Sequence, residues 1–262
     1  MPTFPVSICI LSLVQASVVL LAAPRKLARL HRLRSGWWAL VPVGSVIGFV
    51  FAVRALNGVA DGLTYLALIA VPPLAALALG CLVRGARPLL AAGAVPLFAL
   101  AWADRSGIAG EAAGLVLDAL SCVALGVLLV AVTPRRLVKL AIIAMAAADA
   151  WLVISNLLAA PNNSLNAAAP AADLPQLQRV LFGSAVMGYG DLFIAGLLGA
   201  LLAFEPRTQR RATVLAGTLA LLSDLLFFVV HELPATVPIA LTLIVIEIAA
   251  RRSGSERPSV PG

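Results

Sequence analysis

Two aspartates within apolar segments are the residues of this chain that could do chemistry. Asp149 and Asp191 each lie in a run of mostly apolar residues, where an ionisable side chain is costly and indicates function. Two carboxyl groups that face each other in a low-dielectric site hold one proton between them. One can then act as a base on water while the other donates to a carbonyl oxygen. This pair could hydrolyse a peptide bond.

Sequence spacing predicts a similar depth for the two aspartates. Asp149 lies 13 residues beyond Arg136, and Asp191 lies 12 residues beyond Arg179 and 14 before Glu205. At about 1.5 Å per residue, both positions fall near the middle of a bilayer if their segments are helical. Because the two segments are consecutive and antiparallel, we expect the carboxyl groups to meet.

Small and polar residues are expected to surround both aspartates. Helical periodicity puts four residues of the second segment on one face, which would let another backbone approach closely. They are Ser184, Gly188, Asp191 and Ala195. In the first segment Asn156 follows Asp149 by seven residues and predicts a polar face there. Ordinary close packing of helices remains the alternative interpretation of such faces.

The composition is typical of an integral membrane protein. Of 262 residues 61% are hydrophobic and 12% are charged, about half the charged share of a soluble domain. Three cysteines in apolar runs and two histidines far apart argue against a disulfide framework or a metal site, and we expect no cofactor. The net charge of +7 does not indicate nucleic acid, because the basic residues flank apolar segments. The expected surroundings are a lipid bilayer.

Nine apolar segments approach the length of about 20 residues that a membrane-spanning helix needs. They are Val6–Ala23, Trp37–Leu56, Leu63–Val83, Pro88–Ala103, Ala112–Val132, Leu137–Ala160, Leu177–Phe204, Ala212–Val230 and Pro234–Ala250. The prediction is an all-α polytopic membrane protein with nine transmembrane helices in a single integral membrane domain. Residues 1–133 would carry the first five helices, and residues 134–262 would carry the last four together with both aspartates.

The distribution of basic residues predicts the orientation. All but three of the 19 lysines and arginines fall in loops that would share one side of the membrane. The exceptions are Arg54, Arg105 and Arg179. Since cytoplasmic loops are rich in lysine and arginine, we expect the N-terminus outside and the C-terminus in the cytoplasm, with the plasma membrane as the location. The longest outside loop, Pro161–Gln176, is expected to be irregular.

Three further acids lie within the apolar segments. Glu247 precedes Arg251 by four residues, so we expect these two side chains to pair near the cytoplasmic end of the last segment. Asp118 and Asp224 lie deeper. Each is interpreted either as a hydrogen-bonded structural group or as a member of a proton path.

One motif resembles that of a known family. The sequence Gly188-Tyr189-Gly190-Asp191 resembles the Gly-x-Gly-Asp motif of the intramembrane aspartyl proteases, the presenilin and signal peptide peptidase group. Members have nine spans, with a catalytic aspartate in the sixth, the motif in the seventh and Pro-Ala-Leu at the start of the ninth. Here Asp149 lies in the sixth predicted span, and Pro234-Ala235-Thr236 opens the ninth. Ala148 stands where the family usually has tyrosine, and Thr236 replaces the leucine.

The resemblance implies a fold, an activity and a set of site residues. The fold would be a presenilin-like helix bundle, and the activity that of an aspartic endopeptidase that cleaves transmembrane peptide substrates. Asp149 and Asp191 would be catalytic. The substrate-binding residues would be Gly188, Tyr189, Gly190, Pro234, Ala235 and Thr236. The predicted orientation is similar to that of signal peptide peptidase, which implies type II transmembrane segments as substrates.

Three alternatives remain open. Prepilin peptidases also have a Gly-x-Gly-Asp motif, but they usually carry lysine where this chain has Phe193. A proton-coupled transporter could use the acids of four spans as a relay. Those acids are Asp118, Asp149, Asp191 and Asp224. The third alternative is an inactive scaffold that keeps the geometry of the pair without turnover.

Overall fold

The computed structural model describes residues 2–24, 27, 30–55, 58–168, 170–171, 174–228 and 233–255. Over these residues the chain is almost entirely helical, so the predicted all-α class is confirmed. The ten α-helices are α1 (Phe4–Leu21), α2 (Leu40–Ala55), α3 (Val59–Leu77), α4 (Ala94–Ala103), α5 (Ile108–Val132), α6 (Arg135–Ile154), α7 (Ala159–Ala167), α8 (Tyr189–Leu202), α9 (Pro206–Asp224) and α10 (Val237–Ser255). Outside the described residues lie Leu56, Val229, Val230, His231 and the basic residues Arg25, Lys26, Arg29 and Arg257, which entered the predictions.

Within the described residues, five helical segments are long and apolar enough to cross a membrane, which indicates a membrane protein. They are Phe4–Leu21, Gly36–Ala55, Val59–Leu82, Ile108–Val132 and Arg135–Ile154. Two further apolar helical segments, Pro88–Ala103 and Tyr189–Leu202, are shorter. A count of nine spans stays a prediction.

The seventh predicted span, Leu177–Phe204, is not one helix, and the prediction is wrong on this point. Strands β1 (Arg179–Phe182) and β2 (Ala185–Gly188) form an antiparallel hairpin, and α8 follows directly. Gly183, at the first position of the two-residue turn, has φ of 60°, the left-handed conformation that glycine supplies in such turns. Arg179 therefore pairs with Gly188 across the hairpin, so the helical count of residues from Arg179 to Asp191 does not hold.

The sixth predicted span, Leu137–Ala160, ends earlier than expected. Asn156 has φ of 52°, and this left-handed residue closes α6. The N–H of Leu157 bonds to the carbonyl of Leu152 at 2.9 Å, and the N–H of Asn156 bonds to that of Val153 at 3.0 Å, as in a Schellman C-cap. Asn156 is thus a cap and does not extend the helical face of Asp149. Helix α7 also occupies the start of the loop that was expected to be irregular.

Helix α8 lies at the centre of the bundle. Its residues from Ile194 to Leu202 are all buried, and it contacts α1, α5, α6, α9 and α10. A Cβ at Gly196 would lie 2.4 Å from the carbonyl oxygen of Cys122 on α5, and one at Gly199 would lie 2.5 Å from that of Val19 on α1. These glycines let two helices approach α8 closely. The predicted small face on Ser184 and Gly188 is wrong, because both residues belong to the hairpin.

Helices α6 and α10 are joined by an ion pair. Glu247 of α10 pairs with Lys139 of α6, whereas the sequence predicted Arg251 as its partner. The Glu247–Arg251 pair was expected because residues four apart are neighbours on the surface of one helix. The tertiary contact instead brings in a lysine from 108 positions away, near the start of α6.

Candidate functional site

One cavity collects most of the predicted site residues. It has a volume of about 320 Å³ and lies between α1, α6, β2, α8, α9 and the segment that precedes α10. Its predicted members are Asp149, Gly188, Gly190, Asp191, Pro234, Ala235 and Thr236. Asp149 and Asp191 both line this cavity, so it brings the two predicted catalytic residues to one space.

Asp191 is placed by the start of α8. It is the third residue of the first turn, and its Oδ2 accepts a hydrogen bond from the backbone N–H of Gly188 at 3.1 Å. A side chain at this position that bonds back to the residue before the helix is half of a capping box. The helix begins at Tyr189 because the hairpin ends one residue earlier. The motif is thus the junction between β2 and α8.

Asp149 is placed by α6 and held by the segment before α10. Thr236 Oγ1 donates a hydrogen bond to Asp149 Oδ2 at 2.6 Å. Thr236 is buried, with 2% of its surface exposed. A leucine at this position could not donate this bond. Thr236 therefore supplies a fixed partner for the Asp149 carboxyl group.

Gln15 on α1 ties the two halves of the site together. Its Nε2 donates to the carbonyl oxygen of Asp191 at 3.0 Å and to that of Ala235 at 2.9 Å. The side chain is 1% exposed. A continuous set of contacts consequently runs from Asp191 through Gln15 to Ala235, and from the adjoining Thr236 to Asp149. Sequence reasoning missed Gln15, although an amide within the first apolar segment is a usable signal.

A third carboxyl group lies in the same cavity. Asp224, at the end of α9, also lines it, and its Oδ2 accepts a hydrogen bond from Ser12 Oγ at 2.8 Å. Ser12 lies on α1 one turn before Gln15. Helix α1 therefore supplies a donor to the carboxyl group of Asp224, from Ser12, and one to the backbone carbonyl of Asp191, from Gln15.

Tyr189 is the one predicted site residue that does not line the cavity. Its hydroxyl group shares a hydrogen bond of 2.7 Å with Ser121 Oγ on α5. Asp191 is two residues further along α8, and residues two apart on a helix point in very different directions. The structure thus directs Tyr189 away from the other predicted site residues and into the α5–α8 contact.

Arg179 is a site residue that sequence reasoning assigned to topology. It pairs with Gly188 across the hairpin and lines the cavity of the two aspartates. Its Nη2 donates to Gln176 Oε1 at 2.5 Å. The hairpin thus brings a positive charge to the same cavity as three carboxyl groups, a placement that a helical seventh span would not allow.

The hairpin also has an edge without a strand partner, on the strand that lines the aspartate cavity. Among the described residues the sheet has two strands only, so β2 pairs with β1 on one edge alone. Val186, Met187 and Gly188 of β2 line the cavity. An unpaired strand edge presents backbone donors and acceptors to which an extended peptide can bond.

Comparisons with protein-family models, with curated proteins and with solved structures give no match to this chain. In the part of the chain that the structure describes, no group of three or more histidine, cysteine, aspartate or glutamate side chains could hold a metal ion. The chemistry of the site must therefore be argued from its own residues. These are three carboxyl groups that line one cavity, each with a hydrogen-bond donor, and one guanidinium group.

Proposed function

We propose that this protein is an intramembrane aspartyl protease. The observation that carries the proposal is the shared cavity of Asp149 and Asp191, which the Pro234–Thr236 segment also lines. Each of the two carboxyl groups has one donor on one oxygen, Thr236 for Asp149 and the Gly188 N–H for Asp191. Such contacts fix the orientation of a carboxyl group, which is what general acid–base catalysis needs.

The reaction follows from two carboxyl groups that share one proton. The ionised group takes a proton from water, whose oxygen attacks the carbonyl carbon of the substrate while the other group protonates the carbonyl oxygen. The tetrahedral intermediate then collapses. Its carbon–nitrogen bond breaks as the nitrogen takes a proton from the first carboxyl group, and the other carboxylate recovers its proton from a hydroxyl group of the intermediate.

Substrates in this proposal are peptides that span the membrane. A peptide bond in a helix is hydrogen-bonded within that helix, so the helix must unwind locally before the bond can be attacked. The open edge of β2 suits the unwound segment, because main-chain hydrogen bonds to a strand edge hold a peptide extended. Gly188 and Gly190 lie where that backbone would pass the aspartates. Type II segments are the proposed class, by the resemblance to signal peptide peptidase.

The proposed topology has nine spans, with the N-terminus outside and the C-terminus in the cytoplasm of a plasma-membrane protein. The seventh span would consist of the hairpin and α8. Non-helical backbone at membrane depth is tolerated where it is buried in protein or lines a cavity. The β1–β2 hairpin meets this condition, since it contacts α1 and α5 and lines the aspartate cavity.

Substitution of the aspartates tests the activity. The purified chain in proteoliposomes would be given a membrane-spanning reporter peptide whose products are identified by mass spectrometry. Asp149→Asn and Asp191→Asn keep the size of the side chain but cannot transfer the proton, so each should lower cleavage by about 1,000-fold or more. Asp61→Asn, at an exposed acid of α3, is the control and should cleave normally. Cleavage that survives in both aspartate variants would refute the protease.

Proton-coupled transport is the second candidate, and one observation favours it. Asp224 lies in the same cavity as the two aspartates, as a relay of acids would require. A transporter would move protons across proteoliposomes, detected with an internal pH-sensitive dye, and Asp224→Asn would stop the flux. A protease without transport would show no flux and would tolerate Asp224→Asn better than Asp191→Asn in the cleavage assay.

A further inference from the structure

A second cavity adjoins the cavity of the two aspartates. It has a volume of about 360 Å³, and its wall includes α5, the α4–α5 connection and β1. Its polar lining is Arg105, Ser106, Glu111, Asp118, Gln176 and Arg179. Arg105 and Ser106 are exposed and lie at its outer end. Arg179 is the one described residue that lines both cavities.

Asp118 is the buried polar group that needs an explanation. It is 1% exposed, and its Oδ1 has no hydrogen-bond partner among the described residues. The Nε of Arg179 is also buried without a partner there. One is an acceptor and the other a donor. Buried polar groups without a protein partner are normally satisfied by ordered water.

The chemistry of these two groups selects water over an ion. A cation would satisfy Asp118 and repel Arg179, whereas an anion would do the reverse. Water both donates and accepts, so molecules in one cavity can satisfy both groups. The volume has room for several of them, and the polar lining gives each the two to four partners that a buried water needs.

We propose that this second cavity is a channel that brings water from the exposed α4–α5 connection, past Asp118, to Arg179 at the wall of the aspartate cavity. The proposal rests on the proposed protease, because hydrolysis consumes one water per peptide bond. A peptide bound along β2 would occupy the aspartate cavity. A separate route supplies water while that cavity is filled.

Gly114 of α5 provides a direct test of hydration. It lines the second cavity, and a Cβ added there meets only Leu177 Cδ2 at 3.7 Å, an ordinary contact, so a cysteine fits. Gly114→Cys in proteoliposomes should react with a membrane-impermeant, charged methanethiosulfonate. The thiolate, which forms where water is present, attacks the thiol-side sulfur of the reagent, forms a mixed disulfide and displaces methanesulfinate. The matched control is Gly44→Cys on α2, where a Cβ meets no atom within 4 Å. The unsubstituted chain gives the background from the native cysteines.

Labelling of Gly114→Cys at least about tenfold faster than Gly44→Cys supports the channel, and equal slow rates overturn it.

A second measurement uses Gly114→Leu, which fills the cavity. It should lower kcat about tenfold with KM unchanged, because water and not substrate is restricted, while Gly44→Leu should not. A changed KM with normal kcat would overturn the channel. If Gly114→Cys labels as expected but the unsubstituted chain cleaves nothing, the protease fails and the hydrated cavity stands. If the unsubstituted chain cleaves but Gly114→Cys stays unlabelled, the channel fails and the protease stands.

Discussion

The aspartate cavity and the second cavity are similar in size, yet the aspartates that line them differ in their hydrogen-bond donors. In the first, Asp149, Asp191 and Asp224 each accept a hydrogen bond from a fixed protein donor. In the second, one oxygen of Asp118 has no such donor in the described part of the chain. A fixed donor holds a carboxyl group in one orientation, whereas an unpaired oxygen is open to exchangeable water. In the proposed protease, this difference separates Asp149 and Asp191, which are held in place for catalysis, from Asp118, which would be hydrated.

Loss of the two hydrogen bonds that Gln15 donates should have the largest effect on the aspartate cavity. Gln15→Leu has a similar volume but donates neither hydrogen bond, so the α8 end and the Ala235 segment lose their shared partner. Misplacement of catalytic groups by about 1 Å can cost 100-fold. We expect kcat for the membrane-spanning reporter to fall by about that factor with KM little changed, as measured from initial rates.

Ser17→Ala on the exposed face of α1 is the control for this prediction, since Ser17 bonds only within its own helix, to the carbonyl of Val14. It should leave kcat unchanged. Gln15→Leu with normal kcat and a lower melting temperature would show that Gln15 holds helices together without positioning the aspartates.

Thr236→Val should have a smaller effect. Valine keeps the shape of threonine but cannot donate to Asp149, so this carboxyl group would lose the donor that the aspartate cavity gives it. We expect kcat to fall about tenfold. Thr236→Ser retains the hydroxyl group and should restore most of the activity. Equal losses in the valine and serine variants would assign the effect to packing and not to the hydrogen bond.

The sequence predicts the composition-driven features of the molecule better than its contacts. The all-α class and the five described helical segments that are apolar enough to cross a membrane follow from long apolar runs, which can be read without knowing their partners. The hairpin was missed because a short apolar run such as Val180–Phe182 fits a buried strand and a buried helix equally well. Gly183 forms the hairpin turn and Asn156 closes α6, both with a positive φ. The sequence shows a glycine and an asparagine at these positions, but it does not show that either residue adopts the left-handed conformation.

In the candidate site, too, the sequence reveals some of the residues, whereas others are recognised only from their contacts. Asp149 and Asp191 stand out in the sequence because a charge in an apolar segment is unusual. Gln15 is also noticeable as an amide within an apolar segment, but its partners cannot be read from the sequence, since they are backbone carbonyls 176 and 220 residues away. Arg179 was assigned to an outer loop by the distribution of basic residues. A helical seventh span would separate it from Asp191, whereas the hairpin folds it back beside Gly188.

An aspartate-to-asparagine substitution can be made in each cavity, and the one in the second cavity, Asp118→Asn, should have the smallest effect. Asp118→Asn removes the charge but keeps a polar, hydrogen-bonding side chain in the second cavity, so water should still enter it. We expect at most about a threefold loss of kcat, against the near-complete loss for Asp191→Asn. In the Gly114→Cys background, Asp118→Asn should also keep most of the labelling rate. A loss of cleavage as large as that of Asp191→Asn, with labelling intact, would place Asp118 among the groups that transfer protons and would erase the distinction between the two cavities.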